Sequence, residues 1–203
     1  SGKDQIPVLM DLSKAFTETI DRDGFALKEF DLKKDSVNEG FKTASKVQYV
    51  AMAGNFREAG LTYRGTLKLL KVLLGYDYLW NNVRVLGGAY GCMSSFMRSG
   101  ACYFTSYRDP NLQKTLEVYQ KAADFVRNWD PDERDLTKSI IGTVSNLDTP
   151  LTPAIKGQRS MDAYIVGGTF EEIQKERDEI LGATKEDIRA LADYIDAIVS
   201  QHH

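Results

Sequence analysis

Apolar positions first recur at Leu9, Leu12, Phe16 and Ile20, after an extended Ile6-Pro7 start, and this spacing predicts a short leader helix closed by the turn signal Asp21-Arg22-Asp23-Gly24. Phe25, Leu27 and Glu29 then alternate with Ala26, Lys28 and Phe30, which permits a strand without demanding one. Val47-Gln48-Tyr49-Val50-Ala51-Met52-Ala53 is a β-branched and aromatic run closed by Gly54-Asn55, the pattern of a largely buried strand. After Gly60, Leu67, Leu70, Val72, Leu74 and Leu79 thread a helix-favouring stretch that is apolar on more than one side. A helix pressed between a sheet and another layer has this pattern, and it leads directly to Trp80. From Gly88 to Tyr107, Met93, Ser95 and Met97, then Tyr103, Thr105 and Tyr107, alternate about Ser99-Gly100 and predict an antiparallel hairpin.

The second half reads as helices with clear punctuation. Asp109-Pro110 and Asp130-Pro131 each offer a capping carboxylate followed by proline, so each is expected to open a helix. Leu112, Leu116, Tyr119, Ala123 and Val126 form one helical stripe, and Leu136, Ile140, Val144 and Leu147 another. Beyond the Thr149-Pro150 break, a helix is predicted from about Pro153 to Val166, stopping at Gly167-Gly168, with a short charged one from Phe170 to Leu181. Thr184-Lys185-Glu186-Asp187 is a capping box ahead of Ile188, Leu191, Ala192, Ile195, Ile198 and Val199. Strand, helix, hairpin and then several helices is an α+β order, with helices gathered on one face of a mostly antiparallel sheet. Residues 1–38 are read as a leader and connector, and residues 39–203 as a single α+β domain.

Composition narrows the function classes. With 26 Lys and Arg against 29 Asp and Glu, and no run of five or six like charges, the chain lacks the basic footprint of a nucleic-acid binder. The longest apolar stretches, such as Ile195 to Val199, fall far short of the ~20 residues a membrane span requires. Two cysteines, Cys92 and Cys102, are too few for a disulfide framework and read as free thiols in a reducing compartment. A two-residue loop at Arg98-Ser99-Gly100 would put them on opposite faces of the hairpin, and a three-residue loop on the same face.

The only histidines, His202 and His203, are adjacent at the terminus, where neighbours do not share a helix face; they read as a chain end or tag remnant. No internal histidine exists to pair in a zinc site or to activate serine or cysteine, so metal ligands in this chain are expected to be none. Gly87-Gly88-Ala89-Tyr90-Gly91 invites a phosphate-loop reading, but it precedes a strand where such a loop follows one and opens a helix. The glycines fit close backbone approach at the hairpin entry better.

What remains is a polar and aromatic patch, and there a family pattern emerges. Val47-Gln48-Tyr49-Val50-Ala51, then Asp77-Tyr78-Leu79-Trp80-Asn81-Asn82-Val83-Arg84-Val85-Leu86-Gly87-Gly88-Ala89-Tyr90-Gly91, resembles the last quarter of presequence proteases, zinc metallopeptidases of the pitrilysin/insulinase family. These share a Y-L-W-N-x-V-R-x-x-G-G-A-Y-G run. Ser106 to Pro110, the Thr149-Pro150 break and the stretch from Gly168 to Ile188 are similar too, so the resemblance covers about Glu39 to Val199. It implies a parent of two similar halves enclosing an unstructured peptide, each half built from two α+β domains of the mitochondrial-processing-peptidase type. Zinc would be a cofactor of the first domain, in the absent N-terminal catalytic half; this chain resembles the fourth. The family domain continues beyond this endpoint into a final strand, which leaves open a sheet lacking an edge. In the family an arginine and a tyrosine reach the substrate, and they match Arg84 and Tyr90.

The resemblance therefore implies Arg84 and Tyr90 as substrate-binding residues, Tyr90 acting catalytically through a hydrogen bond to the transition-state oxyanion. Its partners would be peptide and the N-terminal half, with neither nucleic acid nor membrane, in the cytoplasm of a bacterium or an organellar matrix of a eukaryote. A guanidinium can hold a carbonyl or carboxylate with two parallel donors, and a phenol can donate to a developing oxyanion. On residue type alone, Arg84 pairing with a carboxylate and Tyr90 packing on the sheet is the ordinary alternative. A non-catalytic binding or assembly subunit and a plain interaction domain are the competing functions.

Overall fold

The computed structural model describes residues 2–20, 30 and 44–201. The chain divides into two compact units, residues 1–43 and 44–203. In the first, helix α1 (Ile6–Thr19) takes Pro7 into its first turn, where the missing N–H costs nothing, and it buries no side chain. The alternating stretch from Phe25 to Glu29 and the pair His202 and His203 lie outside the described residues.

The second unit is built on an antiparallel sheet of order β1-β3-β2: β1 (Gln48–Asn55), β2 (Gly91–Phe96) and β3 (Ala101–Asp109). Its buried face carries Val50 and Met52, Ser94 and Phe96, and Cys102, Phe104 and Ser106, as a two-residue repeat requires. β1 is not the largely buried strand its composition suggests: Tyr49, Ala51 and Ala53 face outward, so it is half-buried. The hairpin turn is Arg98-Ser99-Gly100, three residues inside the Met97–Ala101 pair, with Gly100 at φ 98°. That loop length puts Cys92 and Cys102 on one face. Cys92 lies opposite Ser106, however, four residues along β3 from Cys102, roughly 13 Å of strand. Both thiols are free, and burial pushes each up to about 11, so neither is a ready nucleophile.

Helices cover the buried face. α2 (Leu67–Leu73) buries Leu67, Leu69, Leu70 and Leu73, and continues into a π-helix (Leu74–Val85) that buries Leu74, Tyr78, Leu79 and Val83. This burial on several sides accounts for the apolar stretch after Gly60. The first C-terminal stripe is split between α3 (Gln113–Gln120) and α4 (Ala122–Arg127), and the second lies half-buried on α5 (Glu133–Leu147). α6 (Pro153–Val166), capped by Thr152 and closed by Gly167 at φ 70°, and α7 (Phe170–Leu181), with a Thr169–Glu172 capping box, fall where their punctuation places them. The last amphipathic stretch breaks into α8 (Lys185–Arg189), behind the Thr184–Asp187 capping box, and α9 (Ala192–Gln201), which packs on β1.

Two expected helix starts are corrected. Neither Asp-Pro pair caps a helix: α5 is capped by Asp132, whose carboxylate accepts from the Asp135 amide at 2.8 Å, and α3 begins only at Gln113. Asp130 is instead held by Lys185 (3.0 Å) and Arg189 (2.9 Å), and Asp109 is the buried end of β3. Asp130 is drawn to cations from α8, and Asp109 accepts the Asn111 amide within the turn, so neither carboxylate is left for the first turn of a helix.

Charged side chains tie the helical layer to the hairpin. Glu176 on α7 is buried and receives Arg98 from the hairpin turn at 2.6 Å and Lys68 from α2, while the Arg177 guanidinium bonds both oxygens of Asp148 at 2.6 and 2.8 Å.

Gly91 stands directly under the Tyr107 ring, where any added Cβ would collide, whereas Gly88 adopts φ 79° and a Cβ there would meet only Pro110 Cγ, at an ordinary 3.6 Å. Gly91→Val is expected to cost about 1–3 kcal/mol through overpacking, and Gly88→Val a similar amount through backbone strain. Urea titration of each variant against the parent chain checks this, and unchanged midpoints would refute it.

Candidate functional site

The site begins with the way the π-helix ends. Its last turns are wound wide, with the Leu86 amide reaching back five residues to the Asn81 carbonyl at 3.0 Å. The helix then closes by a seven-to-one bond from the Ala89 amide to Val83 O (3.1 Å) and a six-to-two bond from the Gly88 amide to Arg84 O (2.9 Å). With Gly88 in the left-handed region, this is a glycine closure like a Schellman motif but one residue wider, as the π winding before it requires. The reversal brings Tyr90 back beside Arg84.

Arg84 is held twice: its guanidinium lies 3.9 Å above the Trp80 ring, one helical turn earlier, and its Nε–H donates to the Tyr90 carbonyl at 3.0 Å. The Tyr90 amide in turn donates to Tyr107 O at 3.2 Å, which registers the residue against β3. The Tyr90 ring is 60% exposed and sits 5.4 Å from the Tyr107 ring. The structure thus brings Arg84 and Tyr90 together at the rim of an open concavity of about 510 Å³, with Val47, Val85 and Ala89 as its apolar lining. Arg84 forms no ion pair among the described residues, and Tyr90 is not packed into the helical layer.

The concavity has a third polar member that sequence reasoning missed. Arg108 lines it too, with its guanidinium 5.6 Å from the Tyr90 ring centre. Strict alternation along β3 would bury residue 108, because 102, 104 and 106 are buried. Instead Val50 pairs with Ser106 while Gln48 pairs with Asp109, so Tyr107 and Arg108 together oppose the single Tyr49. This is a β-bulge, and Arg108 takes φ 48°, the only positive value at a non-glycine residue among the described residues. The bulge swings Arg108 outward and puts Asp109 in its place. The legible signal was a charged pair, Arg108-Asp109, interrupting an alternating strand next to proline.

Asp109 is fully buried, and its carboxylate accepts from Ser106 Oγ (2.6 Å), the Asn111 amide (2.8 Å) and Thr115 Oγ1 (2.8 Å). Asn111 in turn donates from Nδ2 to the Gly87 carbonyl at 2.5 Å, joining this anchor to the Arg84–Tyr90 reversal.

A larger hollow, about 740 Å³, lies away from this site between α2 and α5 and carries Asp77, Asp135 and Lys138. Burial, then the charge of Asp135, raises the Asp77 carboxyl, and Lys138 is paired with Asp135 at 2.6 Å. Its cation Lys138 is already paired with Asp135, whereas the smaller concavity has two guanidiniums with no ion pair among the described residues, so the smaller one is the better candidate.

The architecture matches solved peptidase domains. The inactive peptidase domain of a candidate zinc protease from Bordetella parapertussis superposes with a TM-score of 0.59 over 76% of this chain and 87% of that one, at 15% identity. A candidate zinc protease from Bordetella pertussis Tohama I gives 0.55 over 72% and 88%, at 18% identity. The fold is that of a zinc-protease peptidase domain. Residues 38–203 match the PreP C-terminal domain, and the chain belongs to that family. Its relatives include protein HypA of Clostridium perfringens, 43% identical over 88% of this chain, and presequence protease 1, chloroplastic/mitochondrial, of Arabidopsis thaliana, 40% identical over 79%. The matched part is 18% and 15% of those proteins, so the chain spans less than a fifth of their length. Among the described residues, no three His, Cys, Asp or Glu side chains are grouped to hold a metal ion, and no helix is long and apolar enough to cross a membrane.

Asp109→Ala would strand three buried donors at once and is expected to cost about 2–4 kcal/mol, whereas Asp109→Asn, which keeps an acceptor for the Asn111 amide, should cost less than half of that. Denaturant unfolding of both variants checks the order.

Proposed function

We propose that this chain is the substrate-holding C-terminal domain of a zinc metalloendopeptidase that degrades unstructured peptides. The observation that carries this reading is the closed reversal from Arg84 to Tyr90: one guanidinium nitrogen is spent on holding the Tyr90 carbonyl, and the phenol is left exposed over an open concavity. The family membership supports it, as does the likeness to a peptidase domain described as inactive, since a domain can keep this fold without cleaving anything itself. The described residues do not fit a zinc site, so in this reading the metal belongs to the N-terminal catalytic half of the same polypeptide. Residues 39–203 form the domain, and residues 1–38 lead into it. The parent works in a bacterial cytoplasm or, like the chloroplastic and mitochondrial relatives, in an organelle.

The division of labour follows from the two side chains. The outer Nη groups of Arg84 remain free to take a peptide carbonyl or carboxylate before the reaction begins, which binds substrate in its ground state. The Tyr90 hydroxyl gains most where negative charge develops on the scissile carbonyl oxygen, which favours the transition state. Neither role requires the side chain to change protonation.

Three outcomes test this. The isolated chain should show no peptidase activity at any zinc concentration, and chelator-sensitive turnover in a clean preparation would refute that. In the full-length enzyme, Tyr90→Phe should lower kcat roughly ten- to a thousandfold with folding intact, as for the loss of one oxyanion donor. Arg84→Ala should raise KM at least as much as it lowers kcat, because its grip precedes the chemistry. Wild-type kcat and kcat/KM in Tyr90→Phe would remove the catalytic role.

A further inference from the structure

We infer that Arg84 and Arg108 form a two-guanidinium subsite for a peptide carboxylate beside Tyr90, which makes this domain a reader of acidic groups on its substrate; the inference rests on the peptide-holding role proposed above. Three observations lead to it. First, both arginines line the same concavity, no Asp or Glu lines it, and neither guanidinium forms an ion pair among the described residues. Asp109, next to Arg108 in the chain, is buried and already satisfied by three donors, so it is not free to pair with either arginine. Two cations brought together without a counter-charge repel each other, and a carboxylate between them relieves this.

Second, Arg108 is displayed by a device that costs stability. A non-glycine residue in the left-handed region is strained, and here the strain falls on the residue that the bulge turns outward. Glycine at 108 would fold with less strain but would present nothing to the concavity. Third, Tyr90 touches both cations: its carbonyl accepts from Arg84 Nε–H at 3.0 Å and its ring lies 5.6 Å from the Arg108 guanidinium.

Guanidinium forks suit a carboxylate, which accepts two parallel donors, better than they suit a single peptide carbonyl. The carboxylate can belong to an Asp or Glu side chain or to the peptide's C-terminus, and the experiment separates these sources.

The test is equilibrium binding of N-terminally fluorescein-labelled twelve-residue peptides to this 203-residue chain, read by polarisation at low salt. Four peptides are compared: with or without one internal Glu (Gln replacing it), each ending in a free carboxylate or an amide. Removal of the recognised carboxylate should weaken binding about tenfold and identify its source. Arg108→Gly should abolish that discrimination while the chain unfolds no earlier than the parent chain, and Arg108→Lys should restore part of it. Equal affinity for all four peptides, no measurable binding of any, or unchanged discrimination in Arg108→Gly overturns the inference. Because peptide turnover by the full-length enzyme is a separate measurement, Tyr90→Phe and Arg84→Ala can still show their kinetic signatures if the subsite fails.

Discussion

One buried carboxylate determines much of this domain. Asp109 lies at the end of the central strand with no solvent access, and an uncompensated charge in that position would cost several kcal/mol. Its compensation comes from Ser106 on the strand, Asn111 in the turn and Thr115 on the next helix. To bring those donors around it, the chain must bulge opposite Tyr49, put Arg108 in a left-handed conformation and turn sharply into α3. The same turn sends Asn111 to the Gly87 carbonyl, so the glycine-rich reversal is braced from outside as well as by its own backbone bonds. The site is therefore built by backbone accounting, with side-chain choice following from it.

The hydrophobic layering sets the frame in which this happens. Val50, Met52, Phe104 and Cys102 on the sheet share one core with Leu67, Leu70, Leu74 and Leu79, where α2 and the π-helix pack on β2, and α9 adds Ile195 and Ile198 beside β1. The outward face of the sheet is left with Tyr49, Met93, Met97 and the ring of Tyr107. Helices on one face and an open sheet on the other are the general α+β solution to covering apolar surface, here with one side kept for another purpose.

What could be read in the sequence was what is settled locally. The capping box at Thr184, the proline break before α6 and the Gly167-Gly168 stop fix helix ends within a turn, and the structure places α6 and α7 at the predicted bounds. The hairpin was legible because alternation and a glycine turn agree, and loop length then settled the placement of the cysteines. What was not legible depends on partners remote in sequence. Asp109 and Asp130 look alike beside their prolines, yet one is recruited by Ser106 and Thr115 and the other by Lys185 and Arg189. The wide π winding also leaves no local trace, since its apolar positions are compatible with an ordinary helix. Arg84 and Tyr90 stood out through a family resemblance, and the structure adds their mutual contact; Arg108 was hidden behind a register shift that only strand pairing shows.

The seven-residue reversal from Arg84 to Tyr90 is closed by its own main-chain bonds and by the arginine's grip on the tyrosine carbonyl. Spacing between the two side chains is thus an intramolecular constant of a short cyclic unit, insensitive to how the rest of the polypeptide is arranged. A rigid-body shift of the whole domain would carry both groups together, like two teeth on one jaw, altering their reach without altering their bite.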